Sequence, residues 1–290
     1  MKKQSLSREE KNRVEKGTLY LVATPIGNLS DLSERAVKVL SDVDFIAAED
    51  TRNTLGLLTH LGISKPLVSY FEHNKKERGP EILARLAAGE SCALVTDAGT
   101  PGISDPGEDL VRLCAEAGIP ASSIPGPVAA INALILSALP TGKFVFEGFL
   151  PVQKAERRKR LAALADEART MLLYEAPHKL RTTLSDLCKT FGEDRKIALC
   201  RELTKLNEEV RRTTLGDAVA YYNETEPRGE YVLVLEGKEQ GEAERSWDTT
   251  PREQVERYMS EGLSKMDAVK RVAKERGLPK NDVYKEMIEE

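Results

Sequence analysis

The sequence predicts an α/β protein with two α/β domains followed by a small C-terminal helical module. Short apolar segments alternate with amphipathic segments over residues 17–237, which is the pattern of strands alternating with helices. A Pro-Thr-Gly break at residues 140–142 divides this series into an N-terminal domain, 17–140, and a second domain, 141–237. Residues 1–16 are polar and predict a flexible start. Residues 238–248 are charged without apolar periodicity, which indicates a linker before the module at 249–290.

The first domain contains five predicted strands, at Thr18–Ala23, Phe45–Ala48, Pro66–Phe71, Cys92–Thr96 and Ala121–Ile124. Ser30 or Ser33 can cap the helix that follows the first of them. A later helix, Val128–Leu139, is apolar on almost all sides. This pattern predicts burial either in the core or in a contact between subunits.

The second domain repeats the alternation. Its predicted strands are Phe144–Phe149, Met171–Tyr174, Lys196–Cys200 and Tyr231–Leu235, and its predicted helices are Gln153–Ala168, His178–Thr190 and one near Leu215–Tyr222. The module contains three short predicted helices, Pro251–Met259, Lys265–Lys274 and Pro279–Ile288, which Gly262 and Gly277 separate.

Composition excludes several classes of function. The chain has 290 residues and a net charge of −4, which argues against non-specific coating of nucleic acid but allows a local basic groove. Its longest apolar run is too short to span a bilayer, and its first ten residues lack the apolar core of a secretory signal. The four cysteines form no CxxC pair, so we expect reduced thiols and a cytoplasmic location. Only three histidines are present and no HExxH motif, so no metal site is expected.

Three loops rich in glycine and proline each follow a predicted strand: Thr24–Asn28, Asp97–Gly107 and Pro125–Pro127. Strand–loop–helix units of this kind form ligand crevices at the carboxyl edge of an α/β sheet. None of the loops matches GxGxxG or GxxxxGK[ST], so neither a dinucleotide fingerprint nor an NTPase loop is present. The loops favour a nucleoside-like or other compact ligand that is held by backbone groups.

Seven segments, in this order along the chain, resemble one family: TPIGNLSD (24–31), AAEDTRNT (47–54), DAGTPGISDPG (97–107), IPGPVAAINAL (124–134), YEAPHKL (174–180), RELTKLNEE (201–209) and GEYVLVLEG (229–237). The family is the bacterial 16S ribosomal RNA cytidine 2'-O-methyltransferases of the RsmI type, which have the tetrapyrrole-methylase fold. The resemblance implies S-adenosylmethionine bound in a cleft between the two α/β domains, a homodimer, and 16S RNA in the 30S subunit as the substrate. It also implies that the module resembles a helix-turn-helix.

The resemblance assigns cofactor contacts to the loops and to the second domain. In related methylases a Gly-Asp-Pro sequence stands where this chain has Gly99-Thr100-Pro101, so a carboxylate contact is not carried over to Thr100. The residues implied to contact the cofactor are Pro25, Gly27, Gly99, Thr100, Pro101, Ile103, Gly126, Pro127, Tyr174, Glu175, Glu202, Leu203 and Gly229.

A ribose hydroxyl is a poor nucleophile while it is protonated, so a nearby base is expected to accelerate transfer. The candidates at strand ends are Glu49, Asp50, His73 and Asp97. Each has a structural alternative: Glu49 and Asp50 as helix caps or partners of Arg52, His73 as a solvated residue, and Asp97 as a brace of its own loop.

RNA contacts are expected from a basic run at the start of the second domain and from polar residues that follow two strands of the first: Lys154, Arg157, Arg158, Lys159, Arg160, Arg52, Asn74, Lys75 and Lys76. Without the resemblance, the basic run would be interpreted as a solvated helix face, and Asn74 as a residue that turns the chain. Two other functions stay open from the sequence: methylation of a tetrapyrrole or other small molecule, and RNA-binding regulation with an inactive cofactor site.

Overall fold

The computed structural model describes residues 13–238 and 249–287. The chain divides into two compact units, Met1–Lys238 and Glu239–Glu290, which are described separately. The predicted linker at 238–248 lies, apart from residue 238, outside the described residues, and so does the predicted flexible start apart from residues 13–16.

The first sheet is entirely parallel and has the strand order β3-β2-β4-β1-β5. Its strands are β1 Leu19–Val22, β2 Phe45–Ala48, β3 Leu67–Ser69, β4 Cys92–Val95 and β5 Ala121–Ile124. Strands β2 and β4 are buried at every position, as expected for strands covered on both faces. Because all five strands are parallel, the three glycine-rich loops emerge at the same edge of the sheet.

Five helices connect and follow these strands: α1 Glu34–Asp42, α2 Thr51–His60, α3 Lys75–Ala87, α4 Glu108–Glu116 and α5 Ala129–Leu136. Ser33 caps α1 by accepting a hydrogen bond from the Ala36 N–H at 3.2 Å, which decides between the two predicted caps. A single turn of 3-10 helix, Leu29–Asp31, precedes it.

The second sheet is mixed and has the order β6-β7-β10-β8-β9. Its strands are β6 Phe144–Phe149, β7 Thr170–Glu175, β8 Lys196–Arg201, β9 Glu209–Thr214 and β10 Tyr231–Leu235. Only the β6–β7 pair is parallel. The edge strand β9 was not predicted, because none of its residues is buried and it has no apolar run.

Three helices cover one face of this sheet: α6 Lys154–Leu164, α7 Pro177–Phe191 and α8 Leu215–Glu224. Helix α5 packs on the other face, although it precedes the predicted domain boundary at residue 140. Ala130, Ala133 and Leu134 of α5 are buried there, whereas Ile131 and Ile135 are exposed. The helix therefore joins the first series of elements to the core of the second sheet.

The C-terminal unit contains α9 Pro251–Ser260, α10 Lys265–Arg276 and α11 Lys280–Glu286 around a small apolar core. Thr250 and Glu253 form a reciprocal capping box at the start of α9. Gly277 ends α10 in the left-handed conformation, with φ of 65°. All four cysteines of the chain are free thiols, as expected. No helix among residues 13–238 and 249–287 is both long and apolar enough to cross a membrane.

Candidate functional site

A cavity of about 400 Å³ lies where the carboxyl edge of the first sheet meets the second sheet. We call it the central cavity. One wall comes from the loops after β1, β2, β4 and β5, and the other from β6, β7, β8, β10 and the loops beside them. Ile26, Val128, Leu203 and Val232 contribute apolar surface. Its size and mixed lining are those of a small-molecule site.

Backbone hydrogen bonds tie the three loops to one another. Thr24 and Gly99 exchange both of their backbone hydrogen bonds, at 2.9 and 3.0 Å, which joins the first loop to the loop after β4. The Thr100 hydroxyl donates to the Pro127 carbonyl at 3.0 Å, which joins that loop to the one after β5. Gly99 adopts φ of 84°, a conformation that favours glycine. The cavity wall formed by the first sheet is therefore held in place before any ligand binds.

Three acidic residues line this wall, and we call Glu49, Asp97 and Asp105 the carboxylate cluster. The Asp97 N–H donates to Glu49 Oε2 at 3.3 Å. Burial raises the pKa of Glu49 despite that hydrogen bond, and the charges of Asp97 and Asp50 raise it further. Burial, followed by the charges of Glu49 and Asp97, raises the pKa of Asp105 to about 6. The cluster is thus suited to accept a proton near neutral pH or to attract a cation.

The opposite wall carries an ion-paired arrangement in the loops beside β8 and β10. The Glu202 carboxylate accepts from the Glu230 N–H and from Lys205 Nζ, both at 2.9 Å, and Lys205 also contacts the Glu230 carboxylate at 2.8 Å. Burial alone would raise the pKa of Glu202, but these hydrogen bonds and the Lys205 charge lower it. Glu202 is therefore held ionised at the edge of the cavity.

Two predicted contact glycines support this arrangement rather than the cavity surface. A Cβ on Gly229 would lie 2.4 Å from Glu202 Cγ, and a Cβ on Gly27 would lie 2.2 Å from Lys205 Cγ. The Lys205 side chain thus packs across the first loop. Likewise, a Cβ on Gly126 would lie 2.7 Å from Ala23 Cβ, so Gly126 permits close packing of two loops.

Tyr174 and Glu175 end β7 at the cavity. Burial raises the pKa of the Tyr174 phenol, and its ring packs edge-to-face against Phe146 and Phe149. Glu175 is buried and accepts hydrogen bonds from the Thr183 hydroxyl and, at 2.9 Å, from the Ala176 N–H. Glu175 therefore braces the start of α7 while it lines the cavity.

The structure brings seven of the predicted cofactor residues to the cavity wall: Gly99, Thr100, Ile103, Tyr174, Glu175, Glu202 and Leu203. The other six are outside the set of residues that line it: Pro25, Gly27, Pro101, Gly126, Pro127 and Gly229. Three of these six, Gly27, Gly126 and Gly229, make room for neighbouring side chains, as the glycine contacts above show.

Among the predicted catalytic candidates, Glu49 and Asp97 line the cavity, whereas Asp50 and His73 do not. Asp50 caps α2 by accepting from the Arg52 N–H at 2.8 Å, and its bonds to Arg52 lower its pKa to about 2. His73 is exposed and packs edge-to-face against Phe71. Asp50 is thus a helix cap and partner of Arg52, and His73 is a solvated residue, which are the structural alternatives given for them above.

The predicted RNA-binding residues fall into two groups. Several have partners within the protein: Arg52 pairs with Asp50, Lys75 with Glu72, Arg160 with Glu147 at 2.6 Å, Arg157 with Asp186 at 2.7 Å, and the Asn74 side chain with the Phe71 N–H and the Ser69 carbonyl. Four others are exposed and make no ion pair within residues 13–238 and 249–287: Lys76, Lys154, Arg158 and Lys159.

Sequence reasoning missed several residues of the cavity, above all Asp105, Lys205 and Phe149. Asp105 lies within the glycine-rich segment 97–107, for which the prediction was based on the glycines and prolines and included Asp97 but not Asp105. Asp105 is two residues after Ile103, a predicted cofactor contact, and this proximity was the sequence signal that could have identified it. Lys205 gave no signal, because only folding brings it over Gly27.

Comparison with known proteins identifies the family. The family model for tetrapyrrole (corrin/porphyrin) methylases matches residues 18–219. The chain is 48% identical to ribosomal RNA small subunit methyltransferase I of Synechocystis sp. over 94% of this chain and 98% of that protein. It is 47% identical to the Bacillus subtilis protein of the same name, over 92% and 93%. This chain belongs to the ribosomal RNA small subunit methyltransferase I family of tetrapyrrole methylases.

Solved structures of tetrapyrrole methylases share the fold of this family member. Uroporphyrin-III C-methyltransferase from Thermus thermophilus superposes with a TM-score of 0.53 at 22% identity, over 76% of this chain and 94% of that one. The cobalt precorrin-4 methyltransferase CbiF gives a TM-score of 0.54 at 16% identity, over 76% and 95%. These matches confirm the predicted fold class.

Proposed function

We propose that this protein transfers the methyl group of S-adenosylmethionine to the ribose 2'-oxygen of a decoding-centre cytidine in 16S ribosomal RNA, within the 30S subunit. The observation that carries the proposal is the identity of 48% to a ribosomal RNA small subunit methyltransferase over nearly the full length of both chains. The cavity at the junction of the two sheets supplies a matching site.

The size and lining of the central cavity support its assignment as the S-adenosylmethionine site. Its volume of about 400 Å³ is within the usual range for a small-molecule site. Thr100, Ile103 and Leu203 would hold the nucleoside and methionine portions, and the carboxylate cluster would face the positive sulfonium. One of the related tetrapyrrole methylases was solved in complex with S-adenosylhomocysteine, the demethylated form of this donor.

When bound, the donor supplies a methyl group already activated by the sulfonium charge. The residues of this chain therefore have two tasks: to hold the acceptor oxygen in line, and to remove its proton. Alignment of two bound reactants can lower a barrier by about 7–11 kcal/mol. The loop after β4 suits this task, because its backbone bonds to Thr24 and its Thr100 bond to Pro127 fix its position.

We assign proton removal to the carboxylate cluster, with Asp105 as the acceptor. Its pKa of about 6 matches the operating pH better than that of an ordinary carboxyl group. The Asp105 carboxylate accepts the 2'-hydroxyl proton, and Glu49 and Asp97 maintain its raised pKa. Replacement of Asp105 by Asn is expected to lower kcat by about 10²- to 10⁴-fold.

RNA contacts follow from the exposed cations at the start of α6. Lys154, Arg158 and Lys159 are the members of the basic run that have no ion-pair partner among the described residues, so their charges are available to phosphates. Arg157 fastens α6 to α7 through Asp186 and Thr183. The proposal therefore assigns the phosphate contacts to the three unpaired cations.

We also propose that the active form is a homodimer. Helix α5 leaves Ile131 and Ile135 exposed, with Ile135 67% accessible, and Phe144 of β6 is exposed as well. Apolar surface of this kind is typical of a contact between subunits. Analytical ultracentrifugation of the wild-type protein and of Ile135→Asp tests this, because the charged variant is expected to sediment as a monomer.

The decisive assay for the reaction incubates the protein and labelled donor with 30S subunits, naked 16S RNA or a porphyrinoid. We expect label in RNA, and resistance of the adjacent phosphodiester to alkaline cleavage, since a 2'-O-methyl group removes the attacking hydroxyl. Label on a base, with the adjacent bond still cleavable, would contradict ribose methylation. Label in the porphyrinoid alone would establish the small-molecule alternative, and donor binding without transfer would support the regulatory one.

A further inference from the structure

A second pocket lies beside the central cavity, between the first loop and α2. We call it the lateral groove; its volume is about 350 Å³, and Pro25, Leu29, Asn53, Leu57, Thr96 and Asp97 are among its lining residues. Asp97 also lines the central cavity, so the two spaces share one lining residue. A nucleotide whose ribose lies in the central cavity, at Asp105, thus has room for its base in the groove.

Two polar side chains in the groove lack partners within the described part of the chain. Thr96 is only 2% exposed, yet its hydroxyl makes no hydrogen bond there. A buried polar group without a partner is destabilising, so a ligand group that bonded to the Thr96 hydroxyl would relieve this cost. The Asn53 side-chain amide, in the first turn of α2, also makes no hydrogen bond among residues 13–238 and 249–287.

The remaining lining suits a planar ring. Pro25, Leu29 and Leu57 present apolar surface, and Leu29 is 50% exposed. Enzymes that act on one nucleotide extrude it from its stack and read it by hydrogen bonds to its edge and by apolar contacts with its faces. The groove offers both kinds of contact within the volume of a small-molecule site.

We propose that the lateral groove binds the nucleobase of the methylated nucleotide, and that Asn53 and Thr96 recognise its pyrimidine edge. The proposal rests on the proposed RNA ribose methylation and adds the part of the protein that selects the base. Cytosine carries a 4-amino donor that a carboxylate oxygen of Asp97 can accept, whereas uracil places an acceptor at that position. The groove therefore favours cytosine over uracil.

The test compares the wild-type protein with Asn53→Ala and Thr96→Val, using Thr59→Ala as the matched control. Thr59 lies on the same helix, is exposed, and is outside the set of groove-lining residues. Methyl transfer is measured on 30S subunits that carry either cytidine or uridine at the mapped target position. Donor affinity is measured by calorimetry without RNA.

We expect Asn53→Ala to lower kcat/KM for the cytidine substrate by about 5- to 150-fold, the range for one bidentate base contact, and to reduce the preference for cytidine over uridine. Its donor Kd and the activity of Thr59→Ala should match the wild type. Thr96→Val should act in the same direction; if it fails to fold, Asn53→Ala alone carries the test.

Wild-type activity and base preference in Asn53→Ala would overturn the groove assignment while leaving ribose methylation intact. A loss of donor affinity in this variant would overturn it too, because Asn53 would then belong to the donor site. Equal transfer to cytidine and uridine by the wild-type protein would refute recognition of the base. Absence of transfer to any RNA would instead refute the proposed function, and this inference with it.

Discussion

Replacement of Gly229 by alanine tests whether the second wall of the cavity depends on Glu202. Gly229 has φ of 76°, and a Cβ there would lie 2.4 Å from Glu202 Cγ and 2.7 Å from its Oε1. The Glu202 side chain would have to rotate away and give up its bonds to the Glu230 N–H and Lys205. The variant thus combines a strained backbone with a displaced carboxylate.

Gly118→Ala separates the two effects. Gly118 has φ of 67°, close to that of Gly229, but a Cβ there would have no atom within 4 Å. The left-handed conformation should destabilise both variants by about 1–2 kcal/mol. Loss of charge-assisted hydrogen bonds to Glu202 should add about 1.5–3 kcal/mol in Gly229→Ala only.

Urea unfolding of the full chain measures the free energy difference, and calorimetry measures donor affinity. Because Glu202 and Lys205 line the cavity, we expect Gly229→Ala to weaken S-adenosylmethionine binding, tenfold for each 1.4 kcal/mol lost, and Gly118→Ala to leave it unchanged. Equal unfolding free energies and equal donor Kd values for the two variants would refute the support that Gly229 gives to Glu202.

Three further variants test other parts of the site. The first is Asp105→Asn, because the pKa of Asp105 is about 6 in the folded protein and 3.8 ordinarily. Between these pH values the folded wild type binds more protons than the unfolded chain, so its stability relative to the variant falls as the pH rises from about 4 to 6. Urea unfolding at pH 4 and pH 6 measures this change, and a constant difference between the two proteins would contradict it. Neutralising Lys154, Arg158 and Lys159 together should reduce the salt slope of RNA binding by about 2 to 3. Arg157→Ala should mainly lower thermal stability, since it breaks the hydrogen bonds to Asp186 and Thr183. A similar change of slope in both proteins would contradict the assignment of phosphate contacts to the three unpaired cations. Thr100→Val leaves the Pro127 carbonyl without its donor and should destabilise the protein by about 1 kcal/mol, seen as a lower Tm, and an unchanged Tm would show that this bond does not hold the loops together.

The strands of both sheets were largely predictable because they are short apolar runs between turn residues. Strand β2, Phe45–Ala48, and strand β10, Tyr231–Leu235, have the predicted bounds. The sequence does not predict strand β9, because Glu209–Thr214 is an edge strand whose residues are half-buried or exposed and which has no apolar run. The pattern of apolar residues in a sequence reports which side chains are buried, and it does not report strand formation itself.

The loops that line the central cavity were predictable from the sequence, but the packing of individual residues was not. Glycine has the same sequence signature whether it approaches a ligand or makes room for a neighbouring side chain. Gly27 and Gly229 are predicted cofactor contacts, and the structure shows that a Cβ at these positions would meet Lys205 and Glu202, respectively. Asp105 and Lys205 enter the cavity through tertiary packing between the two sheets, which no local pattern encodes.

The carboxylate cluster links the electrostatics of the cavity to the choice of ligand. Burial, together with the neighbouring acids, raises the pKa of Asp105 to about 6, so the ionised cluster is unfavourable until a positive charge offsets it. S-adenosylmethionine carries that charge on its sulfonium, whereas the product of methyl transfer is a neutral thioether. Bound as proposed, the donor would therefore stabilise the ionised cluster, and the product would not. The acids to which we assign proton removal would thus also favour binding of the donor over its product, and transfer would weaken the attraction that holds the spent cofactor.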